Sequence, residues 1–217
     1  MPQHYGNLNA EKALIWRIVH RDNVAWLLDN DIPCANAGLL SPRYTAIGNA
    51  DLIASRSRRA VPVPPGGNLA DYVPFYFTPF SPMMFNIHTG RGAVPQRPNS
   101  EICILVFSLR RLASEGVPFV FTDRHAKLNT ARFFSSLGEL SEIDWPLLQA
   151  RNFSRNPDDP EQIERYQAEA LVYRSVPARL MAGLVCHDEA TRAQMQSEVD
   201  RRGLDIPVRA MPQWYFT

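Results

Sequence analysis

Short apolar runs, separated by polar caps and turn residues, are the main pattern along the chain. Runs of strand length that are bounded by turn signals predict buried strands. They lie at residues 13–19, 101–107, 118–122, 168–174 and 184–187. Apolar residues at helical spacing behind a capping side chain predict helices. These helices lie at residues 22–30, 108–116, 144–153 and 188–203.

Capping residues mark the ends of these helices. The expected N-caps are Asp22, Ser108, Asp144 and Asp188, and the expected stops are Gly116 and Gly203. One or two helical turns are predicted at 176–183, and strands at 206–211 and 213–216. The order has no strict β–α–β rhythm, so it favours an α+β fold.

Prolines change the prediction for the first half of the chain. They cluster in VPVPPGG (61–67) and VPFYFTPFSPM (73–83), and such runs resist helix and central strand alike. We expect ordered loops or sheet edges there. Residues 31–65 are expected to be irregular and basic.

Length and composition indicate a globular protein. The chain has 217 residues, of which 45% are apolar and 21% are charged. We therefore expect a single domain that spans residues 1–217. No apolar stretch is long enough to span a membrane, and MPQHYGNLNAEK has no signal-peptide core. Three well-separated cysteines, Cys34, Cys103 and Cys186, indicate reduced thiols in the cytoplasm.

Charge and histidine positions narrow the chemistry further. The net charge is +1, yet residues 41–65 and 107–132 are basic while 139–169 is acidic. This uneven charge distribution suits a protein surface that binds an anion. The alternative is a solvated surface of mixed charge. The histidines at positions 4, 20, 88, 125 and 187 stand singly. We therefore expect no metal site.

The segment WRIVHRDNV (16–24) ends a strand and opens a helix. It presents Arg17, His20 and Arg21 beside backbone N–H groups, which suits a phosphate or an amide. The alternative is a core strand with exposed basic ends.

Two further features place polar residues against buried strands. Thr122, Asp123, Arg124 and His125 follow a strand and are expected to line a site, although Asp123 could simply cap a helix. Glu169 begins an apolar strand. Its carboxylate must be exposed in a cleft, paired or shifted in pKa, unless the strand lies at an edge.

The chain resembles the DarT family in the stretches IWRIVHRDNV (15–24), 61–92, VPFVFTDRHA (117–126) and RYQAEALVYR (165–174). Within them, the forms IWRIVHRDNV, DYVPFYFTPFSPM and ERYQAEAL resemble its thymidine-modifying branch. These are toxins of bacterial toxin–antitoxin pairs that transfer ADP-ribose from NAD⁺ onto a base of single-stranded DNA. The similarity extends through 143–153 and 214–216, nearly end to end. It implies an ADP-ribosyltransferase-like split β-sandwich with surrounding helices.

The resemblance also implies roles for single residues. The family's catalytic glutamate corresponds to Glu169. Its catalytic arginine corresponds to Arg56 when the chains are aligned on VPVPPGG, with Arg58 and Arg59 as neighbouring alternatives. An NAD⁺-covering segment corresponds to about 39–58 and includes Gly48, and a substrate loop corresponds to about 125–169.

The donor would also contact the first strand. Arg17, Ile18 and Val19 correspond to the nicotinamide-binding backbone. Many members of the family have histidine where this chain has Arg17, so a backbone role is expected there.

Residues for the DNA strand follow from the same resemblance. The expected contacts are Tyr76, Met84, His88, Thr122, Asp123, Arg124, His125 and Arg155. Phe77, Phe80 and Phe85 offer further aromatic faces, and Lys127 and Arg151 further charge, because single strands bind by stacking within a positive groove. For FYFTPF (75–80) the alternative is core packing.

The expected chemistry is transfer with NAD⁺ as donor and no metal. Glu169 would stabilise the positive ribose, and Arg56 would bind pyrophosphate or stabilise the base anion. His125 is the second candidate for proton transfer. A macrodomain antitoxin is the implied partner of a monomeric enzyme. The alternatives are another acceptor (guanine, RNA or protein) or an inactive nucleic-acid-binding module.

Overall fold

The computed structural model describes residues 5–217, so His4 and the start of the N-terminal segment lie outside the described part. The helices are α1 Val24–Asn30, α2 Ala50–Arg56, α3 Pro82–Thr89, α4 Leu109–Ser114, α5 Trp145–Gln149, α6 Gln162–Arg165 and α7 Glu189–Asp200. The strands are β1 Leu14–His20, β2 Ile32–Pro33, β3 Tyr72–Tyr76, β4 Ile102–Ser108, β5 Phe119–Thr122, β6 Phe133–Phe134, β7 Glu169–Tyr173, β8 Ser175–Val176, β9 Gly183–Cys186 and β10 Val208–Ala210.

One large, mostly antiparallel sheet forms the centre of the molecule. Its strand order is β10-β9-β4-β1-β3-β7-β5-β6, and β2 pairs with β8 beside it. The two halves of the sheet meet between β1 and β3 at one register pair, Trp16 opposite Tyr76. Past that pair the halves separate. The predicted α+β class is confirmed, and the split lies at this junction.

The prediction of a loop or sheet edge at 73–83 is wrong, because β3 lies between β1 and β7 and α3 begins at Pro82. Pro74 is tolerated in the sheet because its backbone faces the split. Its carbonyl oxygen accepts a bond from Nη1 of Arg17 at 2.9 Å, so the missing N–H points to the same open side. Pro82 occupies the first turn of α3 behind the N-cap Ser81.

Residues 31–65 are not irregular throughout, because α2 lies within them. The Asn49 side chain caps this helix by accepting a bond from the N–H of Leu52 at 2.9 Å. Its Nδ2 donates to the carbonyl of Gly92 at 3.0 Å. The cap therefore ties the helix to a neighbouring loop.

Other differences are local. Asp22 is not the N-cap; the His20 side chain caps the 3₁₀ turn that precedes α1. Residues 176–183 contain a single 3₁₀ turn, Ala178–Leu180, between β8 and β9. The predicted strand at 213–216 is wrong, since Pro212–Trp214 is 3₁₀. The caps Ser108, Asp144 and Asp188 are confirmed, although α5 is shorter than expected.

Hydrophobic side chains pack against both faces of the sheet and form the core. The thiols of Cys103 and Cys186 lie 4.0 Å apart inside it, in hydrogen-bond contact and without a disulfide. Within residues 5–217, no helix is long and apolar enough to cross a membrane. That part of the chain also contains no group of three or more His, Cys, Asp and Glu side chains that could hold a metal ion.

Tyr215 links two central strands from the C-terminal segment. Its hydroxyl is buried and lies 3.0 Å from the carbonyl of Ile102 and 3.1 Å from that of Val185. We expect Tyr215→Phe to lower the free energy of unfolding by about 1 kcal/mol, the net value of a buried hydrogen bond. Urea denaturation measures this. Tyr44→Phe serves as the control, and an equal loss in both variants would contradict the assignment.

Candidate active site

Glu169 is the first residue of β7, and 4% of it is exposed. Its Oε2 accepts a hydrogen bond from Nη1 of Arg56 at 3.0 Å. Its Oε1 lies 2.9 Å from Nδ1 of His125 and accepts a bond from the N–H of Ala126 at 3.0 Å. Because β7 lies between β3 and β5, the edge-strand alternative is wrong and the carboxylate is paired.

Opposing effects set the ionisation of Glu169. Burial raises the pKa of its carboxyl group. The charge of Arg56 and the hydrogen bonds from His125 and Ala126 lower it by more, so the net effect takes the pKa from 4.5 to about 2. The carboxylate therefore stays charged at neutral pH. A fixed negative charge in a buried position suits the stabilisation of positive charge that develops during a reaction.

Arg56 reaches Glu169 from the end of α2. Only 9% of the residue is exposed, and its Nη2 is buried without a hydrogen-bond partner among the described residues. The guanidinium therefore holds Glu169 with one nitrogen and keeps a second donor uncommitted. Arg59 instead binds the carbonyl of Leu128 at 3.0 Å, and Arg58 is exposed. Of these three arginines, Arg56 is the one that contacts the carboxylate.

His125 is placed by the turn that follows β5. The backbone N–H of His125 donates to the backbone carbonyl of Glu164 at 3.0 Å. A carboxylate oxygen only accepts hydrogen bonds, so we assign the ring proton that faces Glu169 to Nδ1. The side chain is 20% exposed, so the ring also reaches the neighbouring cleft.

The other residues of the polar tetrad have partners within the protein. Thr122 is buried; its Oγ1 donates to the carbonyl of Arg124 and accepts the N–H of Glu169. Asp123 is buried and accepts two bonds from Arg132. Arg124 pairs with Glu161 at 3.0 Å. These three side chains therefore hold the turn that carries His125, and Asp123 does not cap a helix.

The first strand borders the split. Ile18 and Val19 pair with Ile104 and Cys103 of β4 and have no register partner in β3. Arg17 crosses the split to the carbonyl of Pro74. This leaves open the strand edge at which donor contacts are expected.

His20 and Arg21 do not form a ready anion site. His20 is buried, accepts the N–H of Asp22 at Nδ1 and lies 3.3 Å from Glu101 at Nε2. Arg21 donates to the carbonyl of Ser100 at 3.5 Å, and its Nε lies 3.7 Å from the carboxylate of Asp22. Both side chains are thus directed at the protein.

The segment 39–58 includes α2, which carries Arg56 to Glu169. Thr45 is fixed by two bonds with the Asn23 side chain, at 2.8 and 2.9 Å. A Cβ on Gly48 would lie 3.0 Å from Cδ1 of Ile53 and 3.6 Å from Cε of Met83. Glycine therefore permits the close contact that seats this segment against α2 and α3.

A cleft of about 420 Å³ opens beside the Glu169 cluster. His125 lines it, and so does Tyr76, which is the register partner of Glu169. Burial and the charge of Glu169 raise the pKa of Tyr76 well above its ordinary value of 10.0, so the phenol remains protonated. A molecule seated in this cleft contacts His125 and Tyr76, the two neighbours of Glu169 that line it.

The residues predicted to bind DNA divide by exposure. Arg155 and Lys127 are exposed, and Tyr76 and His88 are half-buried. Phe77 and Phe80 of FYFTPF are fully buried, which agrees with the core-packing alternative for these two rings, and Met84 is fully buried as well. The side chains of the DNA candidates Met84, Thr122 and Asp123 therefore support the site from within the protein.

Two parts of the site were not predicted from the sequence. The Ala126 N–H contacts Glu169 through its backbone, for which a sequence carries no signal. Asn49, the cap of α2, stands three residues before Leu52 in a recognisable capping position that the basic character of 31–65 obscured.

Known proteins match this chain over nearly its whole length. The sequence model of the family described as "ssDNA thymidine ADP-ribosyltransferase, DarT" matches residues 16–216. A DNA ADP-ribosyl transferase of Escherichia coli O127:H6 is 52% identical over 211 residues, which is 97% of each chain.

Two solved structures share the fold. One is Thermus sp. 2.9 DarT in complex with ADP-ribosylated ssDNA, with a TM-score of 0.87, 34% identity and 100% coverage of both chains. The other is the same protein in complex with NAD⁺, with a TM-score of 0.84, 34% identity and coverage of 95% and 98%. The matching structures confirm the predicted fold class.

The depressed pKa of Glu169 predicts a specific acid sensitivity. A carboxyl group whose pKa falls on folding contributes stability above its unfolded pKa, and loses it as the pH drops through the folded pKa. Wild type should therefore lose stability relative to Glu169→Gln as the pH falls from about 4.5 to about 2. Urea denaturation of both proteins across this range measures the difference. A difference that does not change with pH would contradict the ion pair.

Proposed function

The chain belongs to the DarT family of ssDNA thymidine ADP-ribosyltransferases, and we propose that Glu169 and Arg56 are its catalytic residues. The enzyme transfers ADP-ribose from NAD⁺ to thymidine in single-stranded DNA. The observation that carries the assignment is the buried, charged carboxylate of Glu169, held by Arg56 and His125 beside a cleft.

Glu169 stabilises the ribose as the donor bond breaks. The bond between nicotinamide and ribose C1′ breaks with its electron pair leaving on nicotinamide, so positive charge builds on the ribose, as in glycoside cleavage. N3 of thymine then bonds to C1′, and its proton passes to the ring nitrogen of His125 that does not face Glu169. The carboxylate binds the charged state more tightly than the ground state, which lowers the barrier.

Arg56 brings a positive charge to the acceptor base or to the donor phosphates. An arginine remains protonated at neutral pH, so it is a poor general base. Its role is to stabilise the thymine anion or a donor phosphate with the uncommitted Nη2, while Nη1 keeps Glu169 in place. His125 contacts Glu169 through Nδ1 and is the better proton carrier.

Further residues are assigned to the donor and to the DNA. We assign the backbone of Arg17, Ile18 and Val19 to nicotinamide, and Gly48 to the segment that covers NAD⁺. Four of the predicted DNA contacts have side-chain groups that could reach the DNA strand: Tyr76, His88, His125 and Arg155. Arg124 and its neighbours act indirectly, through the turn that carries His125.

The biological setting follows from the family. We propose that residues 1–217 act as a monomeric, single-domain toxin in the cytoplasm, where NAD⁺ and single-stranded DNA are available. A macrodomain antitoxin that removes the ADP-ribose is the expected partner. These assignments rest on the resemblance to DarT toxins.

Mass spectrometry of a mixed-sequence single-stranded oligonucleotide incubated with NAD⁺ tests the assignment. Wild type should add one ADP-ribose to thymidine-containing fragments. Glu169→Gln should slow both transfer and NAD⁺ cleavage by about 10²–10³-fold, the usual loss when an electrostatic stabiliser is removed. Arg56→Ala should lose transfer to DNA while part of the NAD⁺ cleavage persists.

The contradicting outcomes separate the alternatives. Transfer by Glu169→Gln at the wild-type rate would remove that residue from catalysis. NAD⁺ consumption by wild type without a DNA adduct would favour RNA or protein as acceptor. DNA binding that weakens with salt, without any NAD⁺ loss, would favour an inactive binding module. The folded state of each variant is checked by circular dichroism.

A further inference from the structure

The cleft beside Glu169 lies between two helices of the covering side of the sheet. Its walls come from the start of α2, from α3, from the loop at Gly92–Val94 and from the turn at His125. A volume of about 420 Å³ falls within the range of small-molecule sites. His125 and Tyr76 both line the cleft and both adjoin Glu169, so the cleft opens beside the carboxylate.

The walls suit a flat ring with a polar edge. Met83 and Asn86 both line the cleft from α3, where a spacing of three places them on the same face of the helix. Leu52 and Val94 add apolar surface. Methionine is flexible and polarisable and packs well against aromatic faces. The cleft thus offers apolar walls and a small number of polar groups.

Most of the neutral polar groups in the cleft are already committed. Asn49 uses its oxygen to cap α2 and its nitrogen to bind Gly92. Gln167 donates its amide N–H to the carbonyl of Ile163 at 3.0 Å. The Asn86 amide, in contrast, forms no hydrogen bond with any residue in the described range 5–217. A half-buried amide without a partner is available to a ligand.

The position of Asn86 is restricted by its neighbour. Gly92 has a φ of 69°, and a Cβ at that position would lie 2.8 Å from Nδ2 of Asn86. The carbonyl of Gly92 also accepts a hydrogen bond from the Asn49 side chain. A glycine at this point therefore leaves room for the amide and holds the loop against it.

The acceptor base requires donors on both sides of its reacting atom. N1 of thymine carries the sugar, so N3 is the ring nitrogen that bears a proton, and the carbonyl oxygens O2 and O4 flank it. A donor that binds either oxygen orients N3 and stabilises the anion formed when the proton leaves. Cytosine has an amino group instead of O4 and no proton on N3.

We propose that this cleft holds the acceptor thymine, and that Asn86 donates a hydrogen bond from Nδ2 to one of the carbonyl oxygens that flank N3. Met83 packs against the face of the ring. The inference rests on the proposed function and adds the residue that recognises the base. Asn86 is a specificity-determining residue, distinct from the groups assigned to the donor.

The first test compares Asn86→Ala with Asn7→Ala, in which an exposed asparagine that accepts a bond from Lys12 is removed. Loss of one hydrogen bond to the base should lower kcat/KM for the oligonucleotide roughly tenfold in Asn86→Ala. NAD⁺ affinity and the melting temperature should stay at wild-type values. Asn7→Ala should transfer normally. Equal activity of the two variants would overturn the proposal.

Modified substrates make the test independent of folding. Oligonucleotides containing 2-thiothymidine or 4-thiothymidine replace one carbonyl oxygen with sulfur, a poor acceptor. One of the two should slow wild type roughly tenfold and leave Asn86→Ala little changed. If each analogue slows both enzymes by the same factor, Asn86 does not contact the base. A wild type that modifies no oligonucleotide would instead overturn the proposed function.

Discussion

A carboxylate at 4% exposure can remain charged only if its surroundings replace the water that it has lost. For Glu169 three donors do this: Nη1 of Arg56, Nδ1 of His125 and the N–H of Ala126. They come from the end of α2 and from the turn after β5, so distant parts of the chain must meet at the start of β7. Removing one partner would leave a buried charge uncompensated, which is strongly destabilising. The site and the stability of its surroundings therefore depend on the same contacts.

The break in the sheet leaves a space beside β1, at the strand edge proposed to contact the donor. β1 and β3 meet at Trp16 and Tyr76 and then separate, with Pro74 facing the opening. A strand with a complete hydrogen-bond ladder would close this space. Tyr76 consequently lies at the junction, beside both the split and Glu169. The internal ion pairs of Asp123 and Arg124 fix the turn that brings His125 to the same point.

Local signals explain which features were predictable. Ser108 and Asp188 precede helices with clear caps, and the apolar runs of β4 and β7 are unambiguous strands. Glu169 stood out because a carboxylate at the start of an apolar strand requires a partner.

Tertiary contacts explain the failures. The position of Pro74 in a central strand depends on the split, which a local pattern does not encode. The choice of Arg56 over Arg59 is visible only once α2 is seen to end at Glu169. The alignment implied by the resemblance to DarT points to Arg56, and Arg56 is the arginine of the three that contacts Glu169. The proposed role of Asn86 depends on its position in the cleft, which the sequence alone does not indicate.

The central claim is that Glu169 is a charged carboxylate held by Arg56, and its ionisation can be observed directly. Titration of the ¹³C-labelled side-chain carboxyl group of Glu169 by NMR gives its pKa in the folded protein. The account predicts a pKa of about 2 in wild type and a clearly higher one in Arg56→Ala. A wild-type pKa at or above the ordinary 4.5, or one that does not respond to the loss of Arg56, would contradict it.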